Sequence, residues 1–139
     1  MIVARDEAEV VGFVEVGLLP LPSNRLPLDG SSPSSDLGLY PTIGNLLAAP
    51  THRRRGVGSE LMRRAEEAAG GWGYRSIVCA VDPANVAAYS LYTRLGYCPR
   101  YASVTNTQVN LQRKRVLYHV LVKELSHASP TTDPEPSSL

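Results

Sequence analysis

Leu46-Leu47-Ala48-Ala49-Pro50-Thr51-His52-Arg53-Arg54-Arg55-Gly56-Val57-Gly58-Ser59-Glu60-Leu61 changes character twice within one short stretch. The apolar run of Ile43, Leu46, Leu47 and Ala48 ends at Pro50, as a buried strand ends where a backbone donor disappears. After three arginines a helical period begins. Val57, Leu61, Met62, Ala65, Ala68 and Ala69 fall on one face, Glu60, Arg63, Arg64, Glu66 and Glu67 fill the other, and Gly70-Gly71 are expected to stop the helix. The junction is where chemistry is expected. The first amides of a helix lack partners and carry the positive end of its dipole, so Gly56 and Gly58 would let a phosphate reach bare backbone. No Gly-Lys-Ser/Thr follows, and Leu61 stands where a dinucleotide fingerprint needs its third glycine. A diphosphate ligand of another kind is left.

Working outward, Ile2 to Ala4 and Val10 to Val16 read as two strands joined by the charged turn Arg5-Asp6-Glu7-Ala8. Between positions 20 and 41 stand prolines 20, 22, 27, 33 and 41, Gly30 and the run Ser31-Ser32-Pro33-Ser34-Ser35, a composition that predicts a long mobile loop, an insertion near a binding site. Downstream, Ile77 to Val81 is an apolar strand. Asp82-Pro83 reads as the cap and first turn of a helix running through Leu95 and closed by Gly96. Tyr97 to Val104 and Val116 to Val122 read as strands around the basic Arg113-Lys114-Arg115, and the proline-bearing stretch 126–139 as a disordered tail. Alternating strands and helices predict an α/β or α+β domain over 1–125 with a mixed sheet and no internal repeat.

The whole chain has 139 residues and a formal net charge of +1, which predicts one domain with no global field toward nucleic acid or an anionic membrane. Cys79 and Cys98 lie in apolar stretches and read as small core hydrophobes, so an intracellular, by default cytoplasmic, location is expected. The opening residues do not resemble a signal or transit peptide.

The stretch from Leu46 to Gly58 resembles the coenzyme A motif Arg/Gln-x-x-Gly-x-Gly/Ala of the GNAT acyltransferase superfamily, with Arg53, Gly56 and Gly58 at its fixed positions. Asn85-Val86-Ala87-Ala88-Tyr89-Ser90-Leu91-Tyr92-Thr93-Arg94-Leu95-Gly96-Tyr97 resembles the family's second motif, an Asn opening a helix that ends in Leu-Tyr-x-x-x-Gly-Phe/Tyr. The resemblance implies a mixed, mostly antiparallel sheet flanked by helices. It implies acetyl-CoA as co-substrate and no metal, with the diphosphate on amides of Arg54, Arg55, Gly56, Val57, Gly58 and Ser59 and the basic cluster of Arg53, Arg54 and Arg55 on the phosphates. Leu46, Leu47 and Ala48 would line the pantetheine arm like an added strand, Asn85 would hydrogen-bond it, and an amide near Leu47 or Ala48 would polarise the thioester carbonyl. Tyr92 would face the sulfur as a general acid. Simpler roles for these two are a helix-start residue and a tyrosine packed on the sheet.

Departures from the family pattern bear on function. Members that acetylate proteins can carry a base five residues before the Asn, and here that position is Ala80; Tyr40, Asn45, Asp82 and His119 are the alternatives. Members normally open with a strand and two helices before the hairpin that here starts at Ile2. The acceptor cleft is therefore expected to be open, rebuilt by residues 20–41 or completed by a partner, and an uncovered sheet face makes a homodimer a plausible consequence. A truncation or an isoform is expected to account for the short front. The expected function is acetyl transfer to a primary amine, on a protein N-terminus, a lysine or a small molecule, by direct attack in a ternary complex. A coenzyme A-binding module without turnover is the alternative, and nucleic-acid binding through the arginine clusters is disfavoured. Tyr40 to Asn45, Trp72-Gly73 and the arginine-rich approach to the last strand are similar to plastid members from plants and algae, which would place a longer precursor in the stroma.

Overall fold

The computed structural model describes residues 1–32, 38–53, 55–109 and 111–125; Arg54 and the stretch 126–139 lie outside them. Strand β1 (Ile2–Asp6) and strand β2 (Glu9–Pro20) form the opening hairpin, turned at Glu7, whose φ is 56°. β2 continues past its apolar core because β4 (Leu39–Ala48) pairs along it from Pro20↔Leu39 to Gly12↔Ala48. Between them the two residues of β3 (Leu26–Pro27) join the far edge of the sheet. With β5 (Ser76–Val81), β6 (Cys98–Val109) and β7 (Gln112–Glu124), the described residues build one seven-stranded sheet of order β1-β2-β4-β5-β7-β6-β3. Its one parallel neighbour pair is β4 with β5, so the sheet is mixed and mostly antiparallel.

Helix α1 (Val57–Gly71) follows the predicted period, burying Leu61, Met62, Ala65 and Ala69. It ends at Gly71, as Gly70-Gly71 predict, with Trp72 as its cap and the left-handed conformation at Gly73, φ 90°. Helix α2 (Val86–Arg94) starts later than Asp82-Pro83 predicts. The Asp82 carboxylate accepts from the Ala84 amide at 2.8 Å in a turn of its own, and Asn85 is the helix cap, its Oδ1 accepting from the Ala88 amide at 3.3 Å. Gly96, φ 99°, closes the helix as expected.

Both helices pack on the same sheet face, around Val14, Ile43, Ile77, Cys79, Val81, Tyr97 and Leu121. Within the stretch expected as a loop, the described residues 21–28 cross the other face. Asn24 donates to the Val104 carbonyl and accepts from Ser103 Oγ at 2.8 Å, the Leu28 amide donates to the Arg100 carbonyl, and the buried Arg25 guanidinium lies 5.5 Å from the Tyr101 ring centre. On this face, alternation places Val78 and Val120, which are 4% and 1% exposed. Prolines that read as breakers therefore end strands and steer a crossing segment, because tertiary pairing supplies what local propensity lacks. Over Val78 and Val120, then, the face without helices is covered by the chain itself.

Close packing at the front fixes one glycine. A Cβ at Gly12 would come within 2.9 Å of both the Leu47 carbonyl oxygen and Val57 Cγ1, where β2 meets α1. Since the first neighbour is backbone, Gly12→Ala is expected to destabilise the fold by about 1 to 3 kcal/mol. Urea titration should show an earlier midpoint with an unchanged slope.

Candidate functional site

Asn45 adopts φ 52°, a left-handed conformation that Asn tolerates better than most side chains. There the β2–β4 ladder shifts: Phe13 pairs with Leu47 but Glu15 with Gly44, so β4 carries one residue more than its partner. A bulge bends the strand that holds it. On its other side β4 pairs with β5 only at Thr42↔Val78 and Ile43↔Cys79, and beyond that vertex the two parallel strands part. The segment Leu46, Leu47 and Ala48 thus keeps β2 on one edge and turns the other to the opening. Glu15, which also hydrogen-bonds Asn45 Nδ2 at 2.9 Å, alternates with core-facing Val14 and Val16 and so stands on the face without helices.

Past β4 the chain makes a short 3-10 turn (Pro50–His52) before α1. His52 Nε2 lies 2.9 Å from Asp6 Oδ2 and its Nδ1 2.8 Å from Thr51 Oγ1, which ties the turn to the β1 end. Gly56 is the cap of α1 at φ 78°, and α1 has no side-chain cap hydrogen bond. The leading amides of the helix are accordingly free to meet an anion. They open into a cleft of about 510 Å³ lined by Ala48, His52, Arg53, Gly56, Val57, Gly58, Ser59, Ala87, Leu91 and Arg94. Of the predicted phosphate-loop residues, Arg53 and Gly56 to Ser59 line this cleft; Arg55 is exposed and outside its lining. Ala87, Leu91 and Arg94 join them from α2 with no motif to announce them. Their spacing marks one stripe of α2, but an apolar stripe on a helix reads as core until its neighbour is known.

Tyr92 is 8% exposed and lies beside Cys79, the residue paired at the vertex, with its ring centre 6.0 Å from that of Tyr97. Burial, with the Cys79 side chain as a lesser cause, pushes its phenol up to about 12, so it is a neutral proton carrier at physiological pH. Burial likewise pushes the Cys79 thiol up to about 12, which keeps it an unreactive core residue. Cys98, expected in the core, is exposed. Asn85 stands at the α2 cap, and Ala80 is exposed near the end of β5. The alternatives to a base at Ala80 disperse. Tyr40 lines a separate cavity with Ser76, Val78, Arg100 and Tyr101, Asn45 makes the bulge, and Asp82 caps its turn. His119 Nδ1 lies 2.9 Å from the Tyr89 hydroxyl in an edge-on ring contact that fastens α2 to β7.

The model of the acetyltransferase (GNAT) family matches residues 1–97. Acetyl transferase GW6a of Oryza sativa subsp. japonica is 41% identical over 61 residues, which is 41% of this chain and 15% of that protein. Among solved structures, Chaetomium thermophilum Naa20, in complex with a bisubstrate analogue, superposes with a TM-score of 0.68 at 23% identity, covering 88% of this chain and 64% of that one. Arabidopsis thaliana NAA60 with a bisubstrate analogue gives 0.62 at 20% identity over 85% and 67% of the two chains. The ribosomal-protein-S18-alanine N-acetyltransferase of Escherichia coli gives 0.62 at 18% over 90% and 68%.

Proposed function

The chain belongs to the acetyltransferase (GNAT) family, and from that premise we propose that it moves an acetyl group from acetyl-CoA to a primary amine by direct attack in a ternary complex. The observation that carries this reading is the continuity of three features: a bulged strand parted from its parallel neighbour, a basic turn, and a helix start with no side-chain cap. Together they suit a ligand with a diphosphate at one end and a long amide-bearing arm at the other. Amides of Gly56, Val57, Gly58 and Ser59 hold the diphosphate, with Arg53 and Arg94 supplying charge from either side. The open edge of Leu46, Leu47 and Ala48 takes the arm as an added strand, and an amide there polarises the thioester carbonyl.

The amine nitrogen then forms its bond to the carbonyl carbon, the carbon–sulfur bond breaks, and Tyr92 gives its phenolic proton to the departing thiolate and regains one from water. The proton shed by the amine goes to Glu15, the carboxylate that Asn45 holds at the bulge on the helix-free face. This gives a base where Ala80 provides none. The acceptor classes are protein N-termini, lysines and small amines. The similarity in fold to a ribosomal-protein-S18-alanine N-acetyltransferase supports the protein class.

A mass-shift assay with acetyl-CoA and a mixture of peptides and polyamines tests the reading, and an acetylated product is the expected result. Saturable acetyl-CoA binding without product from any amine would instead make the chain a coenzyme A-binding module. For Glu15→Gln, kcat should fall about 100-fold or more while the acetyl-CoA Kd stays unchanged. An unchanged kcat would remove Glu15 from the mechanism.

A further inference from the structure

His52 lines the cleft at the start of α1 and at the same time grips the first strand of the sheet. Its side chain is 14% exposed and that of its partner Asp6, on β1, is 55% exposed, so the ring stands on the inner side of the contact. Both ring nitrogens are engaged. A carboxylate accepts and does not donate, so Nε2, 2.9 Å from Asp6 Oδ2, carries a proton. Nδ1, 2.8 Å from Thr51 Oγ1, can play either part. In the neutral ring it accepts the Thr51 hydroxyl proton; in the imidazolium it donates to the hydroxyl oxygen, and the Thr51 O–H turns outward as a donor. The ring therefore gains a proton without losing either hydrogen bond.

Charge around the ring decides which state is held. Asp6 from β1, with Glu9 opposite it on β2, favours the imidazolium, whereas Arg53 beside it in the chain and Arg94 from α2, which line the same cleft, oppose it. The first-turn acid of α1, Glu60, is engaged by Arg63 and Arg64. A diphosphate seated on the α1 amides reverses the balance, because its charge attracts all three cations. We propose that Asp6 and His52 are a proton-coupled part of the diphosphate site: Asp6 holds the imidazole in place, and acetyl-CoA binds with uptake of one proton from solvent at His52 Nδ1. The inference rests on the acetyl-CoA reading above and deepens it by two residues that the coenzyme A motif does not include. His52 is a binding residue, and Asp6 is a positioning residue that acts through it. By linkage, one coupled proton tightens binding up to about tenfold for each unit by which the pH falls.

The test is calorimetric titration of acetyl-CoA into the full chain and its variants at about pH 6 and about pH 8, the span over which an imidazole changes charge. Each titration is run in two buffers of different ionisation enthalpy, which counts the protons taken up. His52→Gln keeps an amide donor for Asp6 and cannot be protonated, so it is the reference that carries the ligand's own phosphate titration. Relative to it, the parent should gain about tenfold or more in affinity from the higher pH to the lower and take up an additional fraction of a proton. Asp6→Asn should lose most of that gain, and in the His52→Gln background it should add no further loss. A merely structural tie would instead lower the melting temperature and weaken binding equally at both pH values. Asp6 is exposed, so Asp6→Asn tests the proposal even if His52→Gln fails to fold. Parallel pH profiles of the parent and His52→Gln would overturn the proposal, as would a parent-like profile in Asp6→Asn. Saturable binding by the parent with such profiles strikes the proton coupling alone, whereas absence of binding by the parent at either pH strikes the acetyl-CoA reading and this inference with it.

Discussion

Gly56→Glu should abolish measurable acetyl-CoA binding while leaving the domain folded. No atom lies within 4 Å of a Cβ built at Gly56, so the new side chain meets no steric barrier and projects beside the α1 amides. Two effects follow, and they differ in size. The φ of 78° is a region that non-glycine residues enter at a cost of about 1 to 2 kcal/mol, which should lower the melting temperature by several degrees. The second effect acts on the ligand: a carboxylate about 4 Å from a phosphate repels it by roughly 4 kcal/mol at an effective dielectric constant of 20. Each 1.4 kcal/mol is a factor of about ten, so Kd should weaken on the order of 1,000-fold. Gly56→Ala separates the terms, because it carries the backbone strain without the charge. Calorimetry should then find near-normal affinity for Gly56→Ala and none for Gly56→Glu; equal binding by both would place the diphosphate elsewhere.

What could be read from residues alone divides along physical lines. The period of Leu61, Met62, Ala65 and Ala69 identified α1 because one face is buried and the other carries an exposed ladder, Arg63 and Arg64 on Glu60 with Arg63 also reaching Glu67. That ladder holds the Glu60 carboxyl down at about 2, so it stays ionised until strongly acid pH. Gly56 and Gly58 draw the eye to the start of α1 because close backbone approach needs glycine, and both line the cleft there. Long-range pairing was harder to see. Leu26–Pro27 has no local strand signal, and its place on β6 depends on Asn24, Arg25 and Leu28 finding partners many residues away. Asp82-Pro83 misled because Asp can cap a turn as well as a helix, and Asn85 was better placed to cap α2. Arg94 joined the cleft only once α2 was laid beside the start of α1. The bulge at Asn45 and its link to Glu15 span thirty positions of sequence, and no spacing rule predicts that meeting.

For Tyr92→Phe, acetyl-CoA should bind as in the parent chain while kcat falls about 100- to 10,000-fold, the range for one positioned acid or base. The substitution removes a single oxygen from a ring that packs with Tyr97, beside Cys79 at the point where β4 and β5 part. Packing is conserved, so a loss of turnover could not be ascribed to collapse of the vertex; urea unfolding of the variant should confirm equal or higher stability. The pH dependence supplies a second check. Burial raises the phenol from its ordinary 10 to about 12, so the folded state favours the neutral form. Its contribution to stability is fully present below pH 10 and is lost as pH rises from 10 toward 12. Over the same interval the parent's turnover should begin to fall as the acid ionises, whereas the residual turnover of Tyr92→Phe should show no such limb. A variant with full kcat would leave Tyr92 as a core tyrosine and give protonation of the thiolate to water.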